Sequence, residues 1–131
     1  MKQNISELAE TIYRIKQQPD VIIDRHFARV FKKAVVNEHK FYVPILREST
    51  KTISPLLKKI GGQKYFVVFT DLHFVRIYDY SDAVPMTMFQ ILPIWEISQK
   101  EVYGITINPF HKEYNLEINR KNFANIWQYQ A

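Results

Sequence analysis

The sequence predicts an α+β fold, with a mainly antiparallel or mixed sheet of about five strands packed by about five helices. Five segments have apolar residues three or four positions apart, the spacing of a helix face. Short apolar runs typical of strands lie between these segments. The chain has 131 residues, and 47% of them are hydrophobic, which is enough for one buried core. Only three residues are glycine. We therefore expect a single domain over residues 1–131, with an N-terminal helical extension at about 1–19.

The first two predicted helices span residues 4–18 and 20–36. Asn4 is expected to cap the first helix, because its side chain accepts hydrogen bonds from the free amides of a first turn. Pro19 cannot continue a helix and therefore separates the two. Asp20 is expected to cap the second helix. The apolar stripe of that helix should face the core: Ile23, Phe27, Val30, Phe31 and Ala34.

A basic face is predicted on the second helix, opposite its apolar stripe, formed by Arg25, Arg29 and Lys32. The net charge of +5 and a pI near 9.4 are compatible with nucleic-acid binding. However, basic residues are spread along the chain with no run longer than two, and a charged helix back is normally only solvated. Nucleic-acid binding is therefore open but not favoured.

The middle of the chain is predicted to hold strands at residues 41–46, 55–60 and 63–69. Pro44 lacks an amide donor, which favours an edge position or a bulge for the first strand. Gly61 and Gly62 predict a tight hairpin between the other two, because a type I′ turn needs positive φ at both central residues. The third strand is apolar from Tyr65 to Phe69 without alternation, so we expect it to be central and buried on both faces.

Two helices are predicted after this strand. The first is short, and either Thr70 or Asp71 would cap it. The second covers residues 87–99, where Thr87 and Gln90 have the spacing of a capping box. Pro93 either breaks this helix or only distorts it.

The last predicted elements are two strands and a helix. Strands at residues 102–108 and 114–118 are joined by the short connection PFHKE, which favours an antiparallel pair. Tyr114, Leu116 and Ile118 alternate with polar residues and are expected to face inward. Asn119 is expected to cap the final helix.

Four landmarks occur in a characteristic order: FYVP at 41–44, a glycine turn with YFVVFTD within 62–71, a short helix, and GITINP at 104–109. In this order they resemble the N-terminal domain of the SseB family, over roughly residues 27–118. The resemblance implies no established enzymatic activity, cofactor or catalytic residue. Many members of that family carry a further C-terminal domain, for which we expect no room in this chain.

No catalytic or metal-binding pattern is present in the sequence. The absence of cysteine excludes thiolate zinc sites, iron–sulfur clusters and a cysteine nucleophile. There is no P-loop, no G-x-G-x-x-G and no G-x-S-x-G. Four histidines lack any ligand spacing: His26, His39, His73 and His111. We therefore expect no cofactor, no metal and no enzymatic activity.

One polar constellation has a functional and a structural interpretation. Thr70 and Asp71 end the predicted central strand, where free amides could bind an anion, and Asn108 ends another strand. If the two strands are parallel neighbours, these three residues would share a cleft for a small ligand or anion. The structural alternative, which is favoured, is a helix cap and a turn at Asn108-Pro109.

The aromatic residues suggest an interface. Not all of the following can be interior, and exposed aromatic residues are typical of protein interfaces: Tyr42, Tyr65, Tyr80, Tyr103, Phe110 and Trp127. The sequence therefore predicts a non-enzymatic protein-interaction or regulatory domain with a protein partner or self-association. The alternatives are a nucleic-acid-associated protein using the basic face and a small-ligand or anion binder at the strand ends. A polar N-terminus and no long apolar stretch predict a cytoplasmic protein without membrane contact.

Overall fold

The computed structural model describes residues 5–20, 22–47, 53–77, 82–97 and 102–128. Within these ranges the helices are α1 (Glu7–Lys16), α2 (Arg25–Val36), α3 (Leu72–Ile77), α4 (Met88–Ile97) and α5 (Arg120–Gln128). The strands are β1 (Phe41–Arg47), β2 (Ile53–Pro55), β3 (Leu57–Ile60), β4 (Gln63–Val68), β5 (Ala83–Met86), β6 (Val102–Ile107) and β7 (Leu116–Asn119). This is the α+β class predicted from the sequence. None of these helices is long and apolar enough to cross a membrane.

The described strands form two sheets, where the sequence predicted one sheet of about five strands. One sheet has the order β2-β1-β5 and the other β3-β4-β6-β7. All pairs are antiparallel except β4 and β6, which are parallel. The sequence did not reveal β2 or β5 because they have three and four residues and each contains a proline, Pro55 and Pro85. Such short segments give no clear alternation of apolar and polar residues.

The two sheets are joined where β1 passes the end of β4. Tyr42 N–H donates to the Phe69 carbonyl at 2.8 Å, and Phe69 N–H donates to the Tyr42 carbonyl at 2.9 Å. The prediction of an edge or bulged position for Pro44 is wrong, because β1 is the middle strand and pairs regularly with β5. Pro44 follows the bridge to Phe69 and precedes the pairing with β2, which begins at Ile45. On the side of β1 that faces β2, the Pro44 carbonyl accepts the N–H of Leu56 at 2.9 Å. The N–H that proline lacks is not needed for pairing at this position.

Strand β4 is central in its sheet, as predicted. Its side chains alternate between two separate cores. Phe66 and Val68 belong to the larger core, to which α1, α2, α4 and α5 contribute, whereas Val67 and Phe69 belong to a smaller core with α3 and Ala9 of α1. Both faces of the strand are therefore covered, which explains its unbroken apolar run.

Two helix starts differ from the predicted ones. Helix α1 begins after Ser6, whose Oγ accepts an amide of the first turn at 3.2 Å, rather than after Asn4, which lies outside the described residues. Helix α2 begins after Asp24 rather than Asp20, and Asp24 Oδ1 accepts the N–H of Phe27 at 2.8 Å. Several residues before each helix can cap it, so the start depends on where packing directs the chain onto the core.

Three local predictions are confirmed. Gly61 and Gly62 have φ of +57° and +83° in the turn between β3 and β4. Thr87 N–H donates to Gln90 Oε1 at 2.9 Å and Gln90 N–H donates to Thr87 Oγ1 at 3.3 Å, which is the capping box. Asn119 Oδ1 caps α5 by accepting an amide of its first turn at 2.7 Å.

Pro93 does not break α4, which continues to Ile97. The end of this helix is held by Arg120 of α5, whose Nη2 donates to the carbonyl of Trp95 at 2.9 Å. Arg120 Nε also donates to the carbonyl of Val102 at 2.9 Å, and its guanidinium lies 4.4 Å from the centre of the Trp95 ring. These contacts stabilise the turn that follows the proline.

Candidate functional site

The ends of β4 and β6 meet as the sequence predicted they would if the strands were parallel neighbours. Asn108 follows β6 directly, Thr70 stands two residues after β4, and both residues are 0% exposed. Thr70 N–H donates to Asn108 Oδ1 at 3.0 Å, and Asn108 Nδ2 donates to Thr70 Oγ1 at 3.1 Å. The predicted proximity is therefore present, and the side chains of Thr70 and Asn108 hydrogen-bond to each other.

Asn108 also anchors the loop between β6 and β7. Its Nδ2 donates to the carbonyl of Tyr114 at 3.2 Å, and its own N–H donates to the carbonyl of Val68 at 2.9 Å. Tyr114 thus belongs to the turn before β7, which begins at Leu116. The φ of Asn108 is +49°, a left-handed conformation that asparagine tolerates better than most residues.

Asp71 links the end of β4 to the start of α1. Its Oδ1 accepts the N–H of Ser6 at 3.1 Å, and its Oδ2 accepts the hydroxyl protons of Ser6 and Thr70 at 2.9 and 2.8 Å. The prediction that Thr70 or Asp71 caps α3 through its side chain is therefore wrong, because these side chains bind Ser6, Asn108 and each other instead. Only the backbone carbonyl of Asp71 serves α3, by accepting the N–H of Phe74 at 3.1 Å.

An open cavity of about 530 Å³ lies beside this buried junction. One wall comes from the start of α3 and the other from the turn before β1, which the Tyr42–Phe69 bridge brings against the end of β4. The cavity is lined by His39, Lys40, Tyr42, Thr70, Asp71, Leu72 and His73. The sequence therefore identified one wall, whereas the other depends on the contact between the two sheets.

His39 is placed in this wall by the end of α2. Its N–H donates to the carbonyl of Ala34 at 2.9 Å, after Glu38 has turned the chain with a φ of +57°. Its Nε2 lies 2.8 Å from the carbonyl oxygen of Thr70. Because a carbonyl oxygen only accepts, Nε2 is the donor in this hydrogen bond.

His111 belongs to an aromatic cluster rather than to a polar site. Its ring lies 5.0 Å from that of Phe74 and 4.9 Å from that of Tyr114. Burial lowers the pKa of His111, and the neighbouring His73 adds to this, while Glu113 opposes it. Across the described ranges, no group of three histidine, aspartate or glutamate residues could hold a metal ion.

The predicted basic face lies on α2 as expected from its spacing. Arg25 and Arg29 are exposed and Lys32 is half-buried. Next to them, Asp24 carries an opposite charge and pairs with Arg14, with Arg14 Nη2 lying 3.1 Å from Asp24 Oδ2. Burial by itself would raise the pKa of Asp24, but hydrogen bonds from the α2 backbone and Arg14 outweigh it and lower the pKa. The acidic neighbour reduces the positive potential at this end of the helix.

The aromatic residues that the sequence left unassigned differ in exposure. Tyr103 is 44% exposed and Phe110 53% exposed, whereas Tyr42 and Tyr65 are half-buried. Tyr80 and the side chain of Trp127 lie outside what the structure describes.

Two of these residues lie together on the four-stranded sheet beside a lysine, and this lysine also contacts Phe110 of the loop after β6. Lys58 of β3 lies directly opposite Tyr65 of β4, and the Tyr65 and Tyr103 rings are 5.7 Å apart. Lys58 Nζ lies 4.1 Å from the centre of the Phe110 ring. We call Lys58, Tyr65, Tyr103 and Phe110 the aromatic face. The sequence named its aromatic members but could not show that strand register assembles them.

Backbone irregularities determine how two of these side chains are presented. The register between β4 and β6 shifts between Lys64 and Tyr65, beside Tyr103. Phe110 has a φ of +72°, which is rare for a residue with a large side chain. Strained residues of this kind persist where the surrounding structure holds them, and they are frequent at functional sites.

Comparison with protein-family models, curated proteins and solved structures gave no match. The resemblance to the SseB family therefore stays a prediction. Its landmark segments form β1, β4 and β6, the strands that create the junction between the two sheets and the Thr70–Asn108 contact.

Proposed function

We propose that this chain is a non-enzymatic interaction domain, resembling the N-terminal domain of the SseB family, that binds a protein partner through the aromatic face. The observation that carries the proposal is the exposure of Tyr103, which contacts Tyr65, and of Phe110, which contacts Lys58 opposite Tyr65. Aromatic side chains provide large contact areas with little entropy loss and dominate the energetics of protein interfaces. The predicted cytoplasmic location is part of the proposal.

The charges around the aromatic face favour a protein over a nucleic acid. Lys58 lies against the Phe110 ring, and the exposed Glu117 is close enough to help raise the pKa of Tyr65, after the larger effect of burial. Both signs of charge therefore border the face. Surfaces that bind single-stranded nucleic acid combine aromatic residues with an excess of positive charge along the backbone path.

The arrangement of polar groups supports a role without catalysis. Catalysis requires polar side chains that converge on a substrate. The convergent polar residues at the strand ends, Thr70, Asp71 and Asn108, hydrogen-bond to one another and to Ser6. Their contacts stabilise the junction of β4, β6 and α1.

Replacing both Tyr103 and Phe110 by serine is expected to weaken partner binding at least about tenfold, because both are exposed aromatic contacts. Phe89→Ser is the matched control, since Phe89 is 55% exposed but lies on α4. The measurement combines sedimentation of the purified chain with affinity capture from its own cell extract, using the wild type and both variants. Each captured protein is then titrated against all three forms.

Two results would contradict this proposal. The first is a wild-type chain that sediments as a monomer and retains no protein. The second is a retained partner that binds the double variant as tightly as it binds the Phe89→Ser control.

The basic face is the second candidate, because Arg25 and Arg29 are exposed on one side of α2. Under the leading proposal, replacing both by glutamine should change partner affinity less than about twofold, since exposed charges contribute little. Nucleic-acid affinity is measured in parallel at 50 and 200 mM salt. Nucleic-acid binding that falls steeply with salt, and that is lost when Arg25 and Arg29 are replaced, would show that the basic face is the functional surface instead.

A further inference from the structure

Three basic side chains from two parts of the chain border the cavity beside Thr70. His39 and Lys40 precede β1, and His73 belongs to α3. The acidic residue in the lining is Asp71. Its carboxylate accepts three hydrogen bonds, two from Ser6 and one from Thr70, so its oxygens are occupied by donors within the fold.

The backbone holds the basic wall in place at a cost in strain. Glu38 occupies the left-handed position after α2, where glycine is the usual residue. The turn places His39 next to Thr70, and His39 Nε2 hydrogen-bonds to the Thr70 carbonyl at 2.8 Å. The edge of the His39 ring also packs on Phe41, with the ring centres 5.0 Å apart. The orientation of this imidazole is therefore set before any ligand arrives.

We propose that this cavity binds a small oxyanion, a phosphate or carboxylate group, between Lys40 and His73, with His39 as a fixed wall beside them. A volume of about 530 Å³ suits a small metabolite. Lysine ammonium and imidazole groups donate charge-assisted hydrogen bonds to such oxygens. Thr70 belongs to the lining and is held in place by its hydrogen bond to Asn108. This inference is independent of the aromatic face.

The test is a titration of the full chain followed by NMR, with inorganic phosphate, succinate and chloride at matched ionic strength. We expect saturable shifts of the Lys40, Asp71 and His73 amide signals at millimolar phosphate or succinate, and none with chloride. Lys40→Met and His73→Gln should each weaken binding about tenfold, because each removes a charge-assisted contact. Lys59→Met, which changes an exposed lysine on β3 outside the cavity, should bind as the wild type does.

The two ligands also identify the source of the oxyanion. Saturation with phosphate alone assigns a phosphate ligand, saturation with succinate alone assigns a carboxylate, and either result supports the site. The buried amide signals of Thr70 and Asn108 report whether each variant keeps its fold. Failure of both ligands to saturate, or equal weakening by Lys59→Met and Lys40→Met, would overturn the proposal.

Discussion

Asn108→Ala is expected to lower the free energy of unfolding by about 4 kcal/mol, the largest effect that we predict. The substitution removes the bond accepted from Thr70 N–H and those donated to Thr70 Oγ1 and the Tyr114 carbonyl. A buried group left without a partner costs about 1–3 kcal/mol, and Thr70 N–H would be such a group. Alanine at a φ of +49° adds backbone strain that asparagine largely avoids.

Urea unfolding followed by circular dichroism measures this effect. Asn125→Ala is the control, because Asn125 is exposed on α5 and its loss should cost less than about 0.5 kcal/mol. A double-mutant cycle with Thr70→Val should show strong coupling, since the two residues share their bonds. A loss below about 1.5 kcal/mol for Asn108→Ala would mean that water replaces the missing amide.

Gly104→Ala is expected to cost about 3 kcal/mol, because it places a methyl group against the backbone of β7. The added Cβ would meet the carbonyl oxygen of Ile118 and lie 2.8 Å from the Cα of Asn119. Both are backbone atoms of the neighbouring strand and cannot rotate away. Strand β7 would have to move, which weakens its pairing with β6.

Gly62→Ala separates this clash from the general effect of removing a glycine. An added Cβ at Gly62 meets nothing within 4 Å, so only its φ of +83° opposes the change, at about 1–2 kcal/mol. Urea unfolding and amide exchange in β6 and β7 should both show the larger effect for Gly104→Ala. Equal costs for the two alanine variants would contradict the proposed backbone clash.

Local rules predicted the elements whose causes are local. The Gly61-Gly62 turn, the capping box of Thr87 and Gln90, and the Asn119 cap each depend on residues within three positions of one another. The predicted caps at Asn4 and Asp20 were wrong for a related reason. Several residues of capping type stood near each helix start, and tertiary packing selected Ser6 and Asp24.

The candidate site was predicted only in part. Thr70, Asp71 and Asn108 were placed together on the condition that β4 and β6 are parallel neighbours, and that condition holds. The sequence could not show that His39 would complete a cavity beside them. That wall depends on the bridge between β1 and β4, whose residues Tyr42 and Phe69 are far apart in sequence.

The sequence by itself determined which segments form helices and most of the strands, and that β4 would be central. Those properties follow from apolar periodicity and from the φ angles that each residue type allows. Only the tertiary structure decided that the polar groups of Thr70 and Asp71 form hydrogen bonds within the fold. A buried polar group must find a partner wherever packing provides one, and here the partners lie 38 and 65 positions away along the chain.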